Sequence, residues 1–229
     1  MNIFCNLFKF LIFTILNILF CTSAIAKSSD WYVSETSKFR LISPYSQNNS
    51  QNIIVGLEYQ MEPGWKTYWK SPGDGGFAQN ISWDNSYNVK NVEILWPTPV
   101  EFEILGLKSL GYKNNVIFPL EVEIINKSEN TFLNLHVSFL ICKDICIPGD
   151  ARIFLEIPSG KKKLNDNYYN LERALSFLPN NDYNSSHINN ISANVFNNND
   201  YSTIQLKIES NKRFINPQLF LHTPFISSQ

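Results

Sequence analysis

Cysteine is scarce in this 229-residue chain, with four in all, and histidine (three) and methionine (two) are scarcer still. No spacing of Cys, His, Asp and Glu supplies the four ligands of a structural zinc site. No phosphate-cradling glycine loop or dinucleotide fingerprint occurs. No nucleophile, base and acid are spaced so as to support a hydrolase. Charge is balanced, with 19 basic against 20 acidic residues, so there is no basic footprint for nucleic acid. After residue 26 no apolar run approaches the roughly 20 residues of a bilayer-spanning helix.

The first 26 residues differ from the rest. Lys9 is the only charge before Lys27, and Phe10 to Phe20 is almost wholly apolar. Ala24-Ile25-Ala26 places small residues at the −3 and −1 positions of a cleavage site, the layout of a secretory signal peptide cut after Ala26. Cys21 follows the bulky Phe20, which argues against a lipoprotein cysteine. Cleavage takes one lysine, leaving a formal charge of −2 on the mature chain, and removes Cys5 and Cys21. The remainder is expected outside the cytoplasm, where disulfides persist.

The mature chain reads as mainly β. Short runs with period-two alternation are separated by Gly, Pro, Asn and Asp clusters. The expected strands are 39–43, 52–60, 92–96, 116–125, 132–142, 153–157 and 202–208. Ile53, Val55, Leu57 and Tyr59 share one face. Leu133, Leu135, Val137 and Phe139 oppose His136, Ser138 and Leu140. This spacing predicts an antiparallel sandwich with one buried face per strand, over residues 27–158. A linker and short helix are expected over 159–187, with Tyr168, Leu171, Leu175 and Leu178 at helical spacing and Pro179 as the stop. Lys161-Lys162-Lys163 reads as a solvated hinge. Residues 188–229 read as a further β segment, too short to close a second core alone. Either it begins a second domain or it packs on the first.

Two cysteines remain, in Cys142-Lys143-Asp144-Ile145-Cys146. A three-residue hairpin loop would set them opposite each other, close enough for a disulfide. Such loops usually want Gly or Asn at a left-handed position, which Ile145 supplies poorly. The ring would contribute only about 2 kcal/mol as a staple, whereas a near-surface pair is easily reduced. Lys143 would favour a neighbouring thiolate and Asp144 would oppose it. Spacing alone leaves three readings open: a redox dithiol, a structural bridge, or a Cu(I) site with a histidine. His136 shares the parity of Cys142 but lies about 20 Å along the strand.

Four stretches in order then resemble one family: Trp65-Lys66-Thr67-Tyr68-Trp69-Lys70-Ser71-Pro72-Gly73-Asp74-Gly75-Gly76, Trp96-Pro97-Thr98-Pro99, Gly111–Leu120, and Cys142–Pro148. Together they are similar to the periplasmic N-terminal domain of the DsbD thiol:disulfide interchange family, near its ScsB branch, over about residues 31–158. The resemblance implies an immunoglobulin-like β-sandwich that relays electrons, a protein-disulfide reductase-like component needing no cofactor or metal. Cys142 and Cys146 would exchange with periplasmic thioredoxin-fold partners. The family's aromatic cap maps to Phe77, with Asp74 near the thiols and Tyr68 and Tyr112 lining the site. The best-known members separate their cysteines by more than three residues. They also carry a transmembrane conduit and a C-terminal thioredoxin-like domain, neither of which is found in this sequence. If the chain is complete, a separate membrane protein would supply the electrons; otherwise the chain is a fragment of a longer protein that carries the membrane domain. Cytochrome c maturation, disulfide isomerisation and copper stress are the settings the resemblance suggests.

Overall fold

The computed structural model describes residues 27–73, 75–104, 106–180, 187–198 and 202–220. The expected signal peptide with Cys5 and Cys21, the loop residue Asp74, and His222 lie outside the described residues.

Alternating apolar residues build two antiparallel sheets, with strands numbered in chain order. The first sheet runs β1 (Tyr32–Val33), β2 (Ser37–Ile42), β4 (Asn52–Met61), β10 (Asn115–Ile124) and β7 (Val89–Ile94). The second runs β12 (Cys146–Ile157), β11 (Thr131–Cys142), β5 (Lys66–Gly73), β9 (Leu107–Lys113) and β8 (Val100–Ile104). The short β6 (Asn80–Ser82) pairs with the middle of β11, beyond the end of β5. The inward faces meet in one core. Ile53, Val55, Leu57 and Tyr59 of β4 are all buried there, opposite Leu133, Leu135, Val137 and Phe139 of β11. Each such side chain contributes on the order of 1.5–3 kcal/mol by leaving water.

Strand β5 does not alternate, because both of its faces are covered. Trp69 turns into the main core, while Tyr68 turns outward into a second cluster with Phe102, Ile104, Leu140 and Cys142. This small outer cluster positions the candidate site.

Beyond residue 158 the chain stays tied to the sandwich. Lys163 and Leu164 form β13 (Lys163–Leu164), which pairs with β3 (Tyr45–Gln47). Lys162 lies over the Tyr45 ring, 4.7 Å from its centre. The helix α1 (Tyr168–Leu175) is shorter than its periodicity suggests. It packs on β10 and buries Leu171 and Ala174. The Thr98 N–H and hydroxyl both donate to the Phe177 carbonyl, at 2.9 and 3.0 Å. Among the described residues, strands β14 (Ile188–Asn197) and β15 (Ser202–Ser210) pair only with each other. Among the described residues no helix is long and apolar enough to cross a membrane.

Candidate functional site

The site grows from the longest hairpin. Strands β11 and β12 pair without a break from Thr131↔Ile157 to Cys142↔Cys146. Lys143-Asp144-Ile145 forms the loop, closed by the Lys143 N–H donating to the Ile145 carbonyl at 2.9 Å. None of the three has a positive φ, so the loop closes without the left-handed residue that such turns usually use. Cys142 and Cys146 are joined in a disulfide with their Cα atoms 4.1 Å apart.

The two sulfurs have unequal surroundings. Cys142 lies on the outer face of the second sheet between β12 and β5, and is fully buried under the outer cluster. Cys146 begins the edge strand and is exposed. The Tyr68 hydroxyl donates to Cys142 Sγ at 3.0 Å and lies 3.8 Å from Cys146 Sγ. Burial raises the Tyr68 pKa above its ordinary value of 10, so the phenol keeps its proton and remains a donor.

Glycines hold that phenol in place. Gly111 faces Tyr68 across the β5–β9 ladder, and a Cβ there would meet the Thr67 carbonyl oxygen at 2.0 Å. Gly76, with φ of +132°, lies on the Tyr68 ring, where an added Cβ would stand 2.3 Å from a ring carbon. Ser109 Oγ donates to the Gly75 carbonyl at 3.1 Å and anchors the same loop. Phe77 follows Gly76 and is 45 % exposed.

Tyr112 is not brought to the disulfide. It pairs with Thr67 on β5 and therefore points to the opposite face from Tyr68. It packs edge-on against Phe118 in the main core and donates its hydroxyl to the Pro97 carbonyl at 2.7 Å. Its neighbour Gly111 occupies the site-facing position. Sequence reasoning could not see this, because one residue of register decides the face. His136 keeps the parity of Cys142, but its Nε2 sits 3.1 Å from Asp150, which also accepts the Ser138 hydroxyl at 2.5 Å. Among the described residues no group of three or more His, Cys, Asp and Glu is placed to hold a metal. Leu140 and Phe102, which complete the outer cluster, were not signalled by any motif.

A sandwich that offers one open sulfur and one buried sulfur under a phenol defines a thiol–disulfide interchange domain. The family model for the N-terminal domain of the thiol:disulfide interchange protein DsbD matches residues 33–158, and the chain belongs to that family. Among solved structures, it is similar to the N-terminal periplasmic domain of ScsB from Proteus mirabilis. That match has 25% identity and a TM-score of 0.64, covering 81% of this chain and 70% of that one. The reduced N-terminal domain of Neisseria meningitidis DsbD matches at 11% identity and a TM-score of 0.28, over 52% of this chain and 86% of that one. No curated protein matches the chain.

Proposed function

We propose that the chain is a periplasmic thiol–disulfide exchange module that passes electrons through Cys142 and Cys146 between thioredoxin-fold partners. The observation that carries this reading is the asymmetry of the disulfide. Cys146 is open to attack, and Cys142 is buried with the Tyr68 hydroxyl on its sulfur.

A partner thiolate attacks Cys146 Sγ. The Cys142–Cys146 bond breaks, and its electron pair leaves on Cys142 Sγ, where Tyr68 donates a hydrogen bond to the developing charge. A mixed disulfide now joins Cys146 to the partner. The partner's second thiol loses its proton and attacks the partner's own sulfur in that bond. Cys146 is released, and the partner departs oxidised. Run in reverse, the Cys146 thiolate attacks a partner disulfide and Cys142 resolves the mixed bond. Electrons enter from a membrane protein or domain and leave to a periplasmic acceptor that serves disulfide isomerisation or cytochrome c maturation. Family membership and the signal-like first 26 residues support the compartment, with cleavage expected after Ala26.

The first test is the reduction potential of the pair. A value between roughly −180 and −270 mV is expected, and a value well below −300 mV would mark a structural bridge instead. Single substitutions test the roles. Cys142→Ser leaves the open sulfur and should trap mixed disulfides with thioredoxin-fold proteins, whereas Cys146→Ser should trap few. Failure of both to trap any partner would refute the exchange role.

A further inference from the structure

The register of the second sheet places four residues in one row across four strands. Lys113 pairs with Lys66, Lys66 with Cys142, and Cys142 with Cys146. Residues directly opposite in antiparallel strands share a face at about 5 Å spacing. The two lysines therefore stand on the outer face beside the disulfide. Both Nζ atoms lie 5.8 Å from the centre of the Phe102 ring, which belongs to the cluster over Cys142. A third cation joins from the loop. Lys66 Nζ donates to the Gly64 carbonyl at 3.0 Å, and the Lys143 side chain packs on that same glycine.

Within the described residues these charges have no ion-pair partner: no carboxylate lies within ion-pair distance of Lys66, Lys113 or Lys143. Asp144, between the cysteines, is exposed and makes no ion pair among the described residues. Glu101 and Glu103 pair with Leu110 and Lys108, on the opposite face of β8 from Phe102. Among the described residues, an almost neutral chain thus sets three unpaired lysines close to its reactive sulfur.

We propose that the Lys113–Lys66 row, with Lys143, makes exchange at Cys146 selective for thiol partners that carry negative charge beside the reacting sulfur. The proposal rests on the exchange reading above and assigns the chemical class of its partner, a protein with an acidic rim around its active cysteine. The lysines act by positioning and attracting that rim before the attack on Cys146, and they take no part in bond breaking. An ammonium roughly 8 Å from an incoming carboxylate in a water-like surround raises its local concentration by about 2.4-fold, so the pair supplies a factor of about five at low salt.

The experiment measures second-order rates for opening the disulfide in the oxidised protein. Two small thiols serve as probes, the anionic 3-mercaptopropionate and the neutral 2-mercaptoethanol. The readout is the ratio of the two rates, each corrected for the thiolate fraction of the probe. The ratio is expected to fall about five-fold in Lys66→Gln/Lys113→Gln and to fall similarly in the unsubstituted protein at high salt. Lys66→Glu/Lys113→Glu should instead favour the cationic thiol cysteamine. Lys143→Gln, an exposed loop change, gives a smaller fall in the same direction and remains informative if the double variants fold poorly. A ratio that is equal in all these proteins and indifferent to salt overturns the proposal while leaving exchange intact. If no thiol of any charge opens the disulfide, the exchange reading itself falls, and this proposal with it.

Discussion

A single hydroxyl decides the state of Cys142. The sulfur is buried, so its thiolate has no water to support it, and the Tyr68 hydroxyl is the donor that touches it. A hydrogen bond to a charged group is worth about 1.5–3 kcal/mol. Tyr68→Phe should therefore destabilise the reduced form and move the potential by about 30 mV or more in the negative direction, since 30 mV corresponds to about 1.4 kcal/mol. Exchange should slow by about ten-fold. Equilibration against glutathione and stopped-flow exchange would check both. The buried hydroxyl of Tyr59 has the opposite character. It has no hydrogen-bond partner among the described residues and sits among Phe39, Phe118 and Phe139. Tyr59→Phe should leave stability unchanged or raise it by up to about 1 kcal/mol, read from urea unfolding. Of the site residues, the cysteines are legible from their spacing alone, because two flanks of a three-residue loop must face each other. The contrast between Tyr68 and Tyr112 is not legible. Both are aromatic, both are buried, and only the pairing of β5 with β9 assigns them to opposite faces.

Strand pairing explains which elements tolerate change. Gly111 exists where the β9 backbone presses on β5, and the atom an alanine would strike is a backbone oxygen that cannot swing aside. Gly111→Ala should cost about 3 kcal/mol and loosen Tyr68 over the disulfide, measured as a fall in urea midpoint together with a shifted potential. The β14–β15 hairpin is the opposite case. Among the described residues its strands have no third neighbour, and Ile191, Val195, Ile204 and Leu206 are exposed. A two-stranded ribbon is marginal by itself in water. Its amides should exchange with deuterium orders of magnitude faster than those of β4, β10 and β11. The sequence shows β4 and β11 plainly, since one buried face leaves clean alternation. It hides β5, where Thr67, Tyr68 and Trp69 are buried in succession. Strands β8 and β9 are not among the expected strands either: Phe102 and Ile104 of β8 lie in the outer cluster, Leu110 and Tyr112 of β9 lie on the main core, and Val100 and Leu107 are exposed. The expected hinge at Lys161–Lys163 is instead tied to β3, a long-range pairing of two residues that no local pattern encodes.

At the scale of the molecule, the burial of tyrosines shapes the response to alkali. Tyr59, Tyr112 and Tyr68 all have pKa values raised from 10, chiefly by desolvation. Below pH 10 both folded and unfolded chains keep these protons, and the tyrosines have no effect on stability with pH. Above pH 10 the unfolded chain releases protons that the folded chain retains, so stability falls as pH rises towards the folded values. Each of the three removes up to about 1.4 kcal/mol per pH unit in that window. Urea midpoints should be flat on this account up to pH 10 and drop steeply beyond it. The sandwich as a whole is legible, because period-two runs of this length leave few other folds that bury them. Its two-core arrangement is not, because the outer cluster is assembled from three strands far apart in the sequence. One consequence follows from where the disulfide lies. Its two halves are neighbours at the closed end of a hairpin already zipped by its own ladder. Opening it frees no segment and leaves no gap for the chain to relax into. Reduction should thus leave the outline of the molecule nearly unchanged, so that a visiting protein tells the two forms apart by reactivity and not by silhouette.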